Sequence, residues 1–159
     1  RPALYDFITT RFHKRQEDAQ ISMVAHLMAA VPNRTSPLFL MTTNYDSQIE
    51  RAMRDSGRAL CVITQNMRDP EHGASRVEVT YPDGTVRQEE AMNFQWNDQS
   101  RSPDPTTVYL FKMHGSAHPR ITETRDDIII TEDDYVDFMV NARRSRQPVL
   151  PADLACRSI

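Results

Sequence analysis

The sequence has few cysteines and few glycines, and both shortages exclude familiar kinds of site. There are two cysteines and four glycines among the 159 residues, and the cysteines do not form a C-x-x-C pair. A zinc site built on paired cysteines is therefore excluded, as is a disulfide-rich scaffold. The glycines never cluster, so the chain contains neither a G-x-G-x-x-G fingerprint nor a P-loop. The low use of cysteine favours a reducing compartment, and we expect a cytoplasmic protein.

Charge and hydrophobicity argue against two further classes of partner. Lys plus Arg is 19 and Asp plus Glu is 22, which gives a formal charge of −3. A weakly acidic chain is a poor electrostatic partner for nucleic acid or for an anionic membrane, so we expect direct contact with neither. No apolar run approaches the ~18 residues that a membrane-spanning helix needs.

The apolar share of the chain is also low. Apolar residues make up 39% of the sequence, below the roughly 45–50% of an average globular domain. We therefore expect an incomplete domain, whose core is completed by segments outside this sequence or by a partner. Exposed strand edges in such a domain favour pairing with another chain, so we expect a homo-oligomer.

Hydrophobic periodicity predicts helices at the start of the chain and a βαβ unit after them. Apolar residues three and four apart predict helices over 3–15 and 18–30. The second helix is expected to bury four apolar side chains: Ile21, Val24, Leu27 and Met28. Residues 37–43 form a continuous apolar run, typical of a strand buried on both faces of a parallel sheet, and 59–63 form another. The helix between them is expected to bury Ile49, Ala52 and Met53 and to end at Gly57.

The second half of the chain predicts a hairpin, two more strands and a helix. Residues 76–87 alternate around a Pro-Asp-Gly turn, which predicts a β-hairpin with one solvated face. Residues 108–113 predict a strand that runs into His114, and 128–130 predict a short fourth strand. Thr131 is then expected to cap a helix whose acidic first turn suits the helix dipole.

These segments predict an α/β, Rossmann-like fold, in which helices flank a mostly parallel sheet that carries an inserted β-hairpin. We divide the predicted single domain, residues 1–159, into five parts: a helical lead-in (1–36), the βαβ unit (37–63), the hairpin insertion and loop (64–106), the later strand and acidic helix (107–141) and a C-terminal segment (142–159).

Polar residues follow two of the predicted parallel strands. One strand ends in residues 42–46 and the other in His114 and Gly115. Ligands of open parallel sheets bind outside the carboxyl ends of the strands, so Asn44, Asp46 and His114 converge if these strands are neighbours. On spacing alone a structural interpretation is favoured, in which the loop residues cap a helix and the histidine bonds to backbone.

Three stretches resemble the SIR2-like domains, bacterial relatives of sirtuins found in antiphage defence proteins. Residues 42–57 resemble the family's "TTNYD…lleral…g" stretch, 111–116 its "yKlHGs" strand end, and 128–138 its "iviTeddYidF" stretch. Three motifs in the right order over residues 38–139 make this resemblance specific.

The resemblance implies that the chain binds NAD and cleaves its nicotinamide–ribose bond as an NAD+ hydrolase. In sirtuin relatives the Asn and Asp of the first motif lie near the nicotinamide and its ribose, and the His of the second faces the ribose hydroxyls. The implied catalytic residues are therefore Asn44, Asp46 and His114. The implied NAD contacts are Thr42, Thr43, Asn44, Tyr45, Asp46, His114 and Gly115. The family also implies fused or partner sensor domains. The residues themselves lead us to expect no metal and no zinc, since two unpaired cysteines cannot supply a zinc module.

Two family segments are missing from the sequence, and two other functions stay open. The Gly-rich phosphate loop ("GAGxS") and a later "GyslxD" strand do not occur, so we expect a central fragment of the family domain. The first alternative function is a non-catalytic NAD- or nucleotide-binding or oligomerisation module. The second is an NAD-dependent protein deacylase. Hydrolysis is favoured over deacylation, since deacylase sirtuins usually carry a zinc module of four cysteines.

Overall fold

The described part of the chain contains two helices, a further short helical stretch and five strands. The computed structural model describes residues 19–33, 37–66, 76–90, 106–117, 128–129 and 131–136, with four earlier single residues, Phe7, Thr10, Arg11 and Arg15. The helices are α1 (Met23–Ala30) and α2 (Gln48–Asp55), and the strands are β1 (Leu38–Thr42), β2 (Leu60–Asn66), β3 (Arg76–Thr80), β4 (Val86–Glu90) and β5 (Val108–Lys112). Residues 132–136 are also helical, as are the four single residues. No described helix is long and apolar enough to span a bilayer.

The five strands form one sheet in the order β1-β5-β2-β3-β4. β5 pairs in parallel with β1 on one side and with β2 on the other. The remaining pairs, β2 with β3 and β3 with β4, are antiparallel. The prediction of a parallel sheet thus holds for β1, β5 and β2, whereas the hairpin makes the sheet mixed.

The predicted hairpin is present, but its inner strand is not solvated. β3 lies between β2 and β4, and its residues Val77, Glu78 and Val79 are all buried. The expectation of one solvated face therefore fails at Glu78, which alternates away from Val77 and Val79 and is still only 7% exposed, whereas Thr80 on the same side is half-buried. The outer strand β4 does expose Val86, which is 47% accessible.

The core lies on both faces of the sheet. Both helices cover one face, where the buried residues are Ala25, Ala29, Ile49, Ala52, Met53, Val108 and Leu110. The buried residues of the opposite face are Cys61, Ile63, Val77, Val79, Tyr109 and Phe111. Every residue of β5 is buried because this strand has a neighbour on each side and alternates between the two clusters.

The apolar run at 37–43 suggested that β1 is buried on both faces. The strand that is buried on both faces is instead β5. β1 lies at the edge of the described sheet and its Met41 is 49% exposed. The two strands have similarly apolar sequences, so their difference in burial comes from their number of neighbours.

Helix α1 packs against α2 through small residues. The prediction placed Val24 and Leu27 inward, but they are 60% and 62% exposed, and Ala25 and Ala29 are buried instead. Alanine lets the two helix backbones approach closely, which larger side chains prevent. Two predicted members of the stripe, Ile21 and Met28, do pack against this face.

Helix α2 has the buried residues that were predicted. Ile49, Ala52 and Met53 face the core. Gly57 follows the helix with a φ of 69°, and its amide donates to the Arg54 carbonyl at 3.0 Å. A residue with a β-carbon is strained in this conformation, so glycine suits the end of this helix. The predicted C-terminal segment, 142–159, lies outside the described residues.

Candidate functional site

The carboxyl ends of β1 and β5 lie side by side. Thr42 and Lys112 are the last register pair of these parallel strands. Just beyond them, the Met113 amide donates to the Thr42 carbonyl at 3.0 Å. β1 and β5 are therefore parallel neighbours, which is the condition under which Asn44, Asp46 and His114 were predicted to converge.

Tyr45 joins three segments at this edge. Its carbonyl accepts from the Ala117 amide at 2.9 Å, and its phenol donates to the Ile129 carbonyl. The Ile129 amide in turn donates to the His114 carbonyl at 3.2 Å. Burial raises the pKa of the Tyr45 phenol, and the nearby Asp134 raises it further, so the phenol stays protonated as a donor.

The predicted strand at 128–130 is not a strand in its described residues. Ile128 and Ile129 are buried, at 4% and 5% exposure, but they belong to no ladder. The backbone of Ile129 bonds to the loops that follow β1 and β5, and this pairing takes the place of a sheet partner. Ile130 lies outside the described residues.

The predicted cap of the following helix is confirmed. The Asp134 amide donates to Thr131 Oγ1 at 3.2 Å, and the Thr131 amide donates to Asp134 Oδ2 at 3.0 Å. This reciprocal pair is a capping box with Asp in the place of Glu. The acidic run therefore serves a helix start. Across the described ranges no cluster of three His, Cys, Asp or Glu residues is arranged to hold a metal.

The first loop presents Thr43 and Asn44 to solvent. Both residues are exposed, directly after the end of β1. The Asn44 amide donates to Thr42 Oγ1 at 3.1 Å, which turns the chain away from the sheet. The Thr42 hydroxyl thus shapes the loop, while the Asn44 side chain is accessible to a ligand.

Asp46 has the kind of structural role that spacing alone favoured, although Ser47 rather than Asp46 is the N-cap residue of α2. Asp46 Oδ1 accepts from the Gln48 amide at 3.0 Å, at the start of α2. This bond satisfies one of the amides that a helix start leaves unpaired. A carboxylate has a second oxygen, so this cap is compatible with a further contact through Oδ2.

His114 is half-buried just after β5. Its ring meets the Tyr135 ring edge-on, with centroids 6.4 Å apart and planes at 88°. Burial lowers the pKa of His114 from its usual value, so the imidazole is neutral at neutral pH. Gly115 follows with a φ of 87°, which only glycine adopts readily, and it lets the chain turn immediately after the histidine.

Lys112 is the site residue that sequence reasoning missed. Its side chain is fully buried, and Nζ donates to the Asp46 carbonyl at 2.6 Å and to Glu50 Oε1 at 2.7 Å. It also lies 3.4 Å from the Tyr45 carbonyl oxygen. A signal was available, since the alternation of β5 places this lysine on the buried face of Val108 and Leu110.

The family comparison covers the whole of this site. The model of the SIR2-like domain family matches residues 39–159. This is most of the chain, so the protein belongs to the SIR2-like domain family, as its motifs indicated. The family is related to the sirtuins, and its domains bind NAD. No curated protein and no solved structure matches the chain significantly.

Proposed function

We propose that the protein is an NAD+ glycohydrolase, which adds water to the nicotinamide–ribose bond and releases nicotinamide and ADP-ribose. The observation that carries this proposal is the meeting of the two polar loops beyond β1 and β5 in a chain of an NAD-binding family. One loop carries the exposed Asn44 and the other the half-buried His114. The resemblance further supports a role in bacterial antiphage defence with fused or partner sensor domains. The low use of cysteine supports a cytoplasmic location, and exposed strand edges support self-association.

The reaction needs oriented groups more than it needs strong acid catalysis. The C1′–N bond breaks with its electron pair moving to the pyridinium nitrogen, so nicotinamide leaves as a neutral molecule. The ribose passes through a transition state that resembles an oxocarbenium ion, as in other glycoside cleavages. Water then bonds to C1′ and loses one proton. A site for this chemistry needs a proton acceptor, a group that orients water and a group that tolerates positive charge.

His114 suits the role of proton acceptor. A neutral imidazole accepts a proton from water or from a ribose hydroxyl at neutral pH. Its lowered pKa also keeps a positive charge away from the ribose while the ribose itself becomes cationic. Burial of the ring thus favours the protonation state that this reaction requires.

Asn44 and Asp46 suit the two other roles. The exposed amide of Asn44 offers both a donor and an acceptor, with which it holds the attacking water or a ribose hydroxyl. Asp46 supplies a negative charge near the developing cation, or holds the carboxamide, while its Oδ1 caps α2. We assign a shaping role to Thr42 and Tyr45, whose polar atoms bond within the protein.

Two other functions receive less support. A non-catalytic NAD-binding module is favoured by one observation, the use of Asp46 as a helix cap. An NAD-dependent deacylase is disfavoured because Cys61, one of the two cysteines, is buried in the core and only 1% exposed. In that position its thiol is a packing group rather than a zinc ligand.

The test is nicotinamide release from NAD by the full-length protein and three variants. His114→Ala and Asn44→Ala should each lower the rate by about 100-fold or more, since positioned acid–base and orienting groups contribute this much. The matched control is His26→Ala, which removes an exposed histidine on α1 and should leave the rate unchanged. If no protein releases nicotinamide while NAD raises the melting temperature of all of them equally, the binding module replaces the hydrolase.

A further inference from the structure

We propose that Lys112 is a positioning residue of this site, and that its buried ion pair with Glu50 sets the placement of the loop that carries Asn44. This inference rests on the proposed hydrolase, because it assigns a role within the same site. The Lys112 side chain is 0% exposed and bonds to the Asp46 carbonyl, so it acts through the backbone that it holds.

The bonds of Lys112 tie the two strand ends together. Lys112 is the last residue of β5 and stands two residues before His114. Its ammonium reaches across to the loop after β1, where it contacts the consecutive carbonyls of Tyr45 and Asp46. Its third partner, Glu50, lies in the first turn of α2. One side chain therefore connects β5, the Asn44 loop and the helix behind that loop.

A lysine is an unfavourable choice for this position if packing is its only purpose. The side chain is 0% exposed, and the other residues on its strand face, Val108 and Leu110, are apolar. Burying an ammonium costs free energy that an apolar residue of similar size avoids, and replacing a buried pair by apolar groups is often neutral or stabilising. The charge is therefore better explained by the carbonyl groups that it orients than by core packing.

The molecule contains a matched control for this kind of contact. Arg58 also donates to two backbone carbonyls, of Ala29 at 2.8 Å and of Val31 at 2.6 Å, and to the side chain of Asn33. Arg58 precedes β2, so it stands at the amino end of the parallel strands, whereas Lys112 stands at the carboxyl end. Arg58→Met and Lys112→Met thus remove carbonyl-binding cations at opposite ends of the sheet, one half-buried and one fully buried.

The first measurement is hydrogen exchange of the backbone amides in the full-length protein. In Lys112→Met, exchange at residues 43–48 and at Ala117 should be about tenfold faster or more, since these amides lie in or bond to the released loop. In Arg58→Met the acceleration should instead appear at residues 29–33. Unchanged exchange at 43–48 in a folded Lys112→Met protein would overturn the inference, and this result does not depend on any enzyme activity.

The second measurement is the kinetics of nicotinamide release. Lys112→Met should lower kcat by about 10- to 100-fold with little change in KM, because a small displacement of catalytic groups costs this much. Arg58→Met should leave kcat unchanged at temperatures where it is folded. Equal kcat in the two variants would show that Lys112 is only a structural anchor.

A milder variant covers the case in which Lys112→Met does not fold. Glu50→Gln keeps an oxygen acceptor for Lys112 and removes its counter-charge. It should lower kcat about threefold or more at an unchanged KM, and wild-type kinetics would contradict the inference. If the wild-type protein releases no nicotinamide, the proposed function fails by itself, and the exchange pattern still decides whether Lys112 holds the loop.

Discussion

At both ends of the three parallel strands a cationic side chain binds backbone carbonyls, but the two ends differ in the polar residues that they expose. At the amino end, Arg58 binds backbone carbonyls, and Asn33 Nδ2 donates to the Thr107 carbonyl at 3.2 Å. At the carboxyl end, Lys112 binds backbone carbonyls in the same way. Beside Lys112, however, the chain leaves Asn44 exposed and His114 half-buried. A cation on backbone carbonyls is therefore not by itself a sign of a site, and the exposed polar loops are what distinguish the carboxyl end.

The difference follows from the direction of the strands. At the amino end, the polar side chains of Arg58 and Asn33 are hydrogen-bonded within the protein. The carboxyl ends of parallel strands release loops before the next helix begins, and these loops present polar side chains at one edge. The two ends should consequently respond differently to substitution, acid and backbone strain.

The largest difference between the two ends is expected in the free energy of unfolding, when the side-chain partner of Lys112 or of Arg58 is removed. Glu50→Ala leaves the Lys112 charge buried without its counter-ion, and should lower the free energy of unfolding by about 3–5 kcal/mol. Asn33→Ala removes side-chain hydrogen bonds in a half-buried region, and should cost about 1–2 kcal/mol. Urea denaturation of both variants measures the difference. Equal losses would mean that solvent reaches the Lys112 ammonium in the folded protein.

Asp46→Asn separates the two roles of the carboxyl-end aspartate. Asparagine caps helices about as well as aspartate, so the free energy of unfolding should change by less than about 0.5 kcal/mol. The loss of negative charge near the cationic ribose should nevertheless lower nicotinamide release by about 10- to 100-fold. Denaturation of the Asp46→Asn variant measures its stability, and nicotinamide release measures its rate. Wild-type turnover in a stable Asp46→Asn protein would leave this residue with its capping role alone.

Low pH should reduce the rate of nicotinamide release by protonating His114, which lies at the carboxyl end of the parallel strands. The pKa of His114 is lowered by burial, so the neutral imidazole persists below the ordinary histidine pKa of about 6.5. The rate should therefore stay constant as the pH falls to about 6.5 and then decline below that value, by about tenfold per pH unit once the imidazole is protonated. A pH profile of kcat checks this. A midpoint above 6.5 would contradict the neutral, buried histidine.

The smallest effects are expected at two glycines with positive φ. Gly57 lies at the amino end, and a β-carbon there meets no atom within 4 Å, so Gly57→Ala introduces backbone strain alone. This should cost about 1 kcal/mol and leave turnover unchanged. Gly115→Ala, with a φ of 87° beside His114, should cost a similar amount and also lower kcat. Thermal melts and rates of nicotinamide release are measured for both variants. Unchanged turnover in Gly115→Ala would show that the turn at Gly115 does not affect the placement of His114.

Several local features were predictable because a few neighbouring residues encode them. The buried face of α2 and its end at Gly57 were predicted, as was the Thr131 cap. The polar residues after both strands were also apparent from their order in the chain. In each case the interactions that decide the structure lie within about one helical turn or one strand.

The sequence thus determined the buried face and the end of α2, the cap at Thr131, the family and the polar residues that follow β1 and β5. Only the tertiary structure decided that α1 packs through Ala25 rather than Leu27, that β1 is an edge strand, and that Lys112 reaches Glu50 across 62 residues of chain. Periodicity identifies an apolar residue but not the neighbour that covers it. Burial and long-range ion pairs depend on contacts between segments far apart in the chain, and no local pattern contains that information.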